Sequence, residues 1–325
     1  MCAFWLIGVA LVSGCSGGAV HLPTLASLPK STDTPTPSPT HTPTRTPHPT
    51  QIVVTPAVVR LPTFTPTPPR PPTLNGLPLE TLIVLSSETR AHMREVYARG
   101  QRLGRDPHAF SKLGDSTIEN PHFLDRFDGE DYNLGAYAYL EPTIAHYQGS
   151  FARRSAAVRR GLHAWSVFDP GWAADPACLP NEHVLDCELR VHNPSMIFIR
   201  LGTNDRGVPE SFDQSLQQVV AHCLENGVIP LLGTKADRRD GAHNINNTII
   251  RKVAEAYQVP LWDFDLAAET LPGRGLTVDN VHMTTFYAHD YTLPAAFQSG
   301  YGVHNLLALL VLDDIRREVM NEGGR

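Results

Sequence analysis

An α/β fold, a parallel sheet with helices on both faces, is predicted by three features of this sequence. Short apolar runs alternate with longer stretches of helical period, the pattern of a doubly wound sheet. The runs are continuously apolar, as at Ile197, Phe198 and Ile199 within Met196–Leu201, which suits strands buried on both faces. The two strongest polar clusters, Gly114-Asp115-Ser116 and Gly202-Thr203-Asn204-Asp205, each close such a run. Parallel sheets place ligands at the carboxyl ends of their strands.

The elements follow in order. Ser87 to Leu103 reads as a helix with Met93, Val96 and Tyr97 on one side, and Ala109 to Leu113 as a strand ending at Gly114. Ser155 to Val158 is a plausible strand, and Met196 to Leu201 a clear one. Phe212, Leu216, Val219, Val220, Cys223 and Leu224 recur at helical spacing, and Asn226-Gly227 stops that helix. Val228 to Leu232 is the next strand. Ile245, Ile249, Ile250, Val253 and Tyr257 mark a helix, Val259 to Trp262 a strand, and Val303 to Val319 a largely buried closing helix. The folded domain is expected over residues 74–325, within the range of one α/β domain.

What precedes it is not core material. Phe4 to Val12 is apolar but too short to span a bilayer. Val12-Ser13-Gly14-Cys15 then resembles a bacterial lipobox, in which Cys15 would be lipidated; plain cleavage of a secretory signal is the other reading. No Lys or Arg precedes the run. Residues 16–73 are dominated by Pro and Thr from about Ser31. Proline fixes φ and lacks an amide donor, so an extended, disordered stalk is expected there. Together these place the domain outside the cytoplasm, tethered to a membrane through Cys15, or else secreted. Gly14-Cys15-Ser16-Gly17-Gly18 matches a nucleophile-elbow pattern but lacks its strand–turn–helix setting.

The formal net charge is −6, without the basic footprint of a nucleic-acid binder. Arg153, Arg154, Arg159 and Arg160 cluster and read as a solvated face. Cys178 and Cys187 lie close together in a polar stretch, and a disulfide is the favoured reading in an exported chain. Zinc is the rival, without supporting Cys or His spacing. Cys223 reads as a core residue. No phosphate-binding loop or His-Glu-x-x-His motif is present, so neither metal nor nucleotide cofactor is expected.

Three polar clusters could carry chemistry. Ser116 becomes a nucleophile only if a base takes its proton; Gly114 allows a tight turn, and a helix starting after Ser116 would direct amides at a developing anion. An Asp115-Ser116 helix cap is the plain alternative. His282 could be the base, with Asp279 three residues earlier to orient its ring, although a chain with 15 histidines makes chance pairs common. Asn204 could donate to an oxyanion, and Gly202 would allow close backbone approach; an Asn-Asp turn at Asn204-Asp205 is the alternative.

Gly-Asp-Ser, Gly-Thr-Asn-Asp and Asp-x-x-His in this order resemble the SGNH hydrolases, also called the GDSL esterase/lipase family. The resemblance runs from about Phe110 to the C-terminal helix. It implies a three-layer α/β/α sandwich with a parallel, flavodoxin-like sheet. It implies that Ser116 is nucleophile and first oxyanion donor, Asn204 a further donor, His282 the base and Asp279 its orienting acid. The family's oxyanion glycine is matched here by Gly161, with Gly149 as alternative; Arg159 and Arg160 occupy the place of the asparagine usual near it.

Phe123, Phe127, Tyr132, Tyr137, Tyr139 and Tyr147 fall between Ser116 and Gly161 and read as core and lid packing, with a sugar or acyl site as the other reading. Phe286 to Tyr301 is a further insertion that could cover the site. The expected activity is hydrolysis of carboxylic esters through an acyl-enzyme, on a small-molecule or carbohydrate ester. A non-catalytic glycan-binding module and an acyltransferase are the alternatives.

Overall fold

The computed structural model describes residues 70–119, 121–241 and 243–320. The expected signal segment, Cys15 and the expected stalk up to residue 69 lie outside the described residues. Arg70 and Pro72 already contact the domain: the Arg70 guanidinium binds Asp314, and the Pro72 carbonyl accepts from the Leu79 amide at 3.0 Å.

A small antiparallel pair opens the chain, β1 (Thr73–Leu74) with β2 (Leu77–Pro78). There follow α1 (Leu79–Leu82), β3 (Ile83–Val84), α2 (Ser87–Arg102), β4 (Asp106–Gly114), α3 (Glu141–His146) and α4 (Val184–His192). Then come β5 (Pro194–Arg200), α5 (Pro209–Glu225), β6 (Ile229–Gly233), α6 (Ile245–Tyr257), β7 (Leu261–Trp262), α7 (Phe264–Ala268) and α8 (Gly300–Ile315). Local chemistry explains the helix ends. The Ser86 hydroxyl accepts from the Thr89 amide at 3.1 Å to start α2, Pro209 opens α5, and Ser299 caps α8.

The central sheet runs β3-β7-β6-β5-β4. β4 through β7 are mutually parallel; β3 is antiparallel to β7, so the sheet is not wholly parallel as expected. Every residue of β5 is buried, which is why it reads as an unbroken apolar run. Helices flank the sheet as the outer layers of a three-layer α/β/α sandwich. Among the described residues no helix is long and apolar enough to cross a membrane; α8 is apolar because all of it is buried.

The expected strand at Ser155–Val158 is a single parallel bridge, Gly114 to Val158. The Gly114 amide donates to Ala157 O at 3.1 Å and the Arg159 amide to Gly114 O at 2.9 Å. The Ser155 side chain prevents more: its hydroxyl donates to Lys112 O at 2.6 Å and accepts from the Ala157 amide at 3.0 Å. With this bridge taken as the second strand, the order Val158, β4, β5, β6, β7 is flavodoxin-like.

Other expectations shift. No α-helix follows Ser116, only a 3-10 turn over Ser116–Ile118, because Glu119 is already extended and Pro121 follows. Cys178 and Cys187 are bonded to each other, but Cys187 sits buried on α4 rather than in a loop. The arginine cluster is not one solvated face. Arg153 pairs with the buried Glu188, and Arg159 is half-buried while Arg154 and Arg160 are exposed. Phe123, Phe127, Tyr137 and Tyr147 are buried in the core, with Tyr132 and Tyr139 packed on it.

Candidate active site

The register brings Gly114 opposite Arg200 and Gly233 opposite Trp262, so the carboxyl ends of the strands form one polar edge. Gly114 is required there: a Cβ would collide with the Arg200 carbonyl oxygen. After it, the buried Asp115 carboxylate accepts from the Thr117 amide at 2.9 Å and the Thr117 hydroxyl at 2.7 Å. That cap sets the 3-10 turn and leaves Ser116 partly exposed. Tyr301 of α8 braces the turn, its hydroxyl donating to Thr117 O at 3.2 Å.

His282 reaches Ser116 from a tight hairpin. Its ends are joined by Thr284 N to Gly275 O at 2.8 Å and Thr277 N to His282 O at 2.8 Å, with Leu276 bridged to Met283. At its tip, Asp279 Oδ1 accepts from the amides of Val281 and His282, both at 2.9 Å, and from the Thr277 hydroxyl at 2.8 Å. The other oxygen, Oδ2, lies 2.6 Å from His282 Nδ1, and His282 Nε2 lies 2.9 Å from Ser116 Oγ. A carboxylate has no proton to give, so His282 Nδ1–H donates to Asp279. Nε2 is then the free acceptor facing the Ser116 hydroxyl. The hydrogen bond from His282, joined by the amide donors, holds the Asp279 carboxyl well below the usual carboxylate range.

Gly161 follows Arg160, which lines the same cleft as Ser116 and His282, in a loop fixed at three points. The Arg159 amide binds Gly114 O. Asn204 Nδ2 donates to Leu162 O at 3.1 Å, and the Ala164 amide donates to the buried Asp205 at 2.9 Å. Gly161 has φ +77°, a left-handed value that favours glycine. Among the described residues no hydrogen bond engages the amide of Ser116 or of Gly161. Gly149 is elsewhere, its amide held by Asp128 Oδ1 at 2.6 Å.

Asn204 is closer to scaffold than expected. One amide hydrogen goes to Leu162 O and the other to Asp115 Oδ2 at 3.3 Å. Serving an oxyanion would require releasing the longer bond. Burial pushes the carboxyls of Asp115 and Asp205 up from their ordinary values. Gly202, at φ +106°, would place a Cβ 2.9 Å from the Phe212 ring; the close approach it permits is to α5, beneath the site.

Three contributors went unnoticed in the sequence. Thr277 holds Asp279, Tyr301 braces the Ser116 turn, and an Arg160–Glu119 ion pair at 2.7 Å stands in the same cleft as Ser116 and His282. Only Thr277, two residues before an Asx turn, had a local signal. His183, Asp186 and His222 cluster away from the cleft. His183 Nδ1 accepts from the Asp186 amide at 3.2 Å, so its Nε2 carries the proton and donates to the same residue's carboxylate. A metal there would have to break that cap.

No protein-family model matches this chain, and no curated protein does. Among solved structures, the chain is similar to an esterase, EstA, from Pseudoalteromonas sp., at 15% identity and TM-score 0.40, over 66% of this chain and 100% of that one. It is similar to a putative lipolytic protein of the G-D-S-L family from Desulfitobacterium hafniense, at 16% identity and TM-score 0.37, over 62% and 98%. A third is an acetyl xylan esterase, AlAXEase, at 16% identity and TM-score 0.37, over 65% and 99%. At such distance, chemistry must be read from this chain's own side chains.

Proposed function

We propose that this chain is a serine hydrolase of carboxylic esters. The observation that carries the reading is the continuous chain Ser116 Oγ, His282 Nε2, His282 Nδ1, Asp279 Oδ2, with contacts of 2.9 and 2.6 Å. Ser116 Oγ attacks the ester carbonyl carbon while its proton passes to His282 Nε2, and Asp279 stabilises the imidazolium. The tetrahedral oxyanion is met by the amides of Ser116 and Gly161, and by Asn204 once it leaves Asp115. Collapse breaks the carbon–oxygen bond to the alcohol, which takes the proton from His282. Water then repeats the sequence and frees the acid.

A pure binding module would have no use for a base aligned on a serine. Acyl transfer would need water kept out, whereas the His282 side chain is 46% exposed; hydrolysis is therefore favoured. The reading includes an extracytoplasmic location with a lipid at Cys15. The Cys178–Cys187 bond supports an oxidising compartment, and Cys15→Ser would move the protein from the detergent to the aqueous phase in Triton X-114 partitioning.

A fluorophosphonate probe followed by peptide mass spectrometry tests the chemistry. Ser116 should be the labelled residue, and Ser116→Ala should lose both labelling and p-nitrophenyl acetate turnover. Full turnover by that variant would end the assignment.

A further inference from the structure

The cleft at Ser116 does not end there. A second cavity of about 320 Å³ adjoins it, within the range of small-ligand sites. Pro121, His122, Thr285 and Tyr301 line both. The His122 and Tyr301 rings lie 5.2 Å apart between them. This second cavity forms between the two insertions, the one after Ser116 and the one after His282. They are stitched together by backbone bonds, Asn133 N to His289 O at 2.9 Å and Tyr291 N to Asn133 O at 2.7 Å.

We infer that this cavity is the subsite for the alcohol part of the substrate, and that the alcohol is a neutral sugar. The inference rests on the esterase reading above. In that reaction His282 must protonate the departing oxygen, so the leaving alcohol lies on the His282 side of Ser116. One wall of the cavity, Thr285 to His289, follows His282 closely in the chain. The lining chemistry selects the sugar. No Leu, Ile, Val or Met lines it, whereas a fatty chain gains from burial only against apolar walls. The walls instead offer Arg126 paired with Asp131 at 2.5 Å, His289, and the aromatic faces of Phe286 and Tyr287. Tyr287 is 71% exposed, an amphipathic ring left without a core to fill. An aromatic face flanked by donors and acceptors matches a pyranose, which has an apolar face and an equatorial belt of hydroxyls. The Arg126–Asp131 pair supplies both donors and acceptors, and the Asp125 carboxylate on the same wall disfavours an acidic sugar.

The test compares esters that share an acyl group and differ in the alcohol. kcat/KM is measured for ethyl acetate, O-acetylated xylotriose and O-acetylated cellotriose, with p-nitrophenyl acetate and octanoate for acyl length. The expected result is at least a ten-fold preference for an acetylated trisaccharide over ethyl acetate. Tyr287→Ala and the double variant Arg126→Ala/Asp131→Ala should each cut that preference at least five-fold, through KM. These side chains are at the surface, and thermal melts will show that the variants fold. No preference for either trisaccharide, a preference untouched by both variants, or octanoate outrunning acetate would each overturn the subsite. Hydrolysis of p-nitrophenyl acetate without sugar preference removes the subsite alone. No hydrolysis of any ester together with no fluorophosphonate labelling removes the esterase reading, and the subsite falls with it.

Discussion

Replacing Asp279 by Asn should do more harm than replacing it by Ala. Three donors converge on Asp279 Oδ1, namely the Val281 and His282 amides and the Thr277 hydroxyl. In Asp279→Asn the side-chain carbonyl must keep that place, because an amide NH₂ there would face three donors. The NH₂ is thereby turned toward His282 Nδ1, 2.6 Å away in the native pair. Nδ1 must then accept, and the ring's proton moves to Nε2, facing Ser116. A protonated Nε2 cannot take the serine proton. The same tautomer inversion in serine proteases lowers kcat by about 10⁴, which corresponds to about 5.5 kcal/mol of barrier. Asp279→Ala leaves the ring free to choose its tautomer, and water can serve the three donors at this half-exposed tip. Its kcat should fall by about 10²–10³, within the usual span for general-base assistance. Steady-state hydrolysis of p-nitrophenyl acetate, with circular dichroism to show native folding, decides the order. An Asn variant within ten-fold of wild type, or more active than the Ala variant, would refute the tautomer argument.

Asn204→Ala should lower kcat about 10²-fold. It should also lower stability by about 1–3 kcal/mol, since Leu162 O and the buried Asp115 carboxylate lose a donor; kcat within three-fold of wild type in a urea-destabilised protein would make it scaffold alone. Opening the Cys178–Cys187 link by Cys178→Ser/Cys187→Ser should cost about 2.5 kcal/mol for so short a loop, read as a shift of the urea midpoint, with no shift refuting it. Burial pushes the Lys112 ammonium down to about 8, against about 10.4 when unfolded. Between those values the unfolded chain binds more protons, so stability should rise from about pH 8 to about pH 10, by at most ~3 kcal/mol. Lys112→Met should flatten that rise in urea titrations, and an unchanged slope would assign it to other groups.

Period and punctuation made much of the fold readable. β5 and α5 declare themselves because burial on both faces, or on one face of a helix, leaves a period in the residues themselves. β3 does not: it is two residues long, and its antiparallel pairing with β7 depends on where α1 delivers the chain. The second strand escaped correct reading because one side chain, Ser155, takes over its ladder bonds. Ser116, Asp279 and His282, which the fold brings together, stood out as candidates because residue type and spacing are local facts. The division of labour at Asn204 was not, since it depends on the Leu162 carbonyl, a neighbour brought in only by folding. The cavity beside Tyr301 was least legible, for its walls come from two insertions that meet at Asn133 and His289.

The exposed Asp279–His282 pair cannot supply its own precision. Ion pairs at such exposure contribute little to stability, and Val278 at the hairpin tip is fully solvated. The accuracy must come from the hairpin's base. There Arg274 donates to Ala236 O at 2.9 Å, to Asp265 O at 3.0 Å and to the Asp265 carboxylate. Burial pushes the Asp265 carboxyl up, but Arg251 and Arg238 more than reverse this and hold it below its ordinary value. Its amide in turn donates to Thr234 at the end of β6. A carboxylate 3% exposed with three guanidiniums around it is costly to disturb, since removing one side of such a pair typically costs about 3–5 kcal/mol. The residue after Arg274 is Gly275, whose carbonyl receives both the amide and the hydroxyl of Thr284. Both feet of the hairpin thus stand on one buried charge cluster at the sheet's carboxyl edge, the same edge that carries Ser116. The His282 ring is thus open to solvent at the tip of the hairpin and held through its root against Ser116.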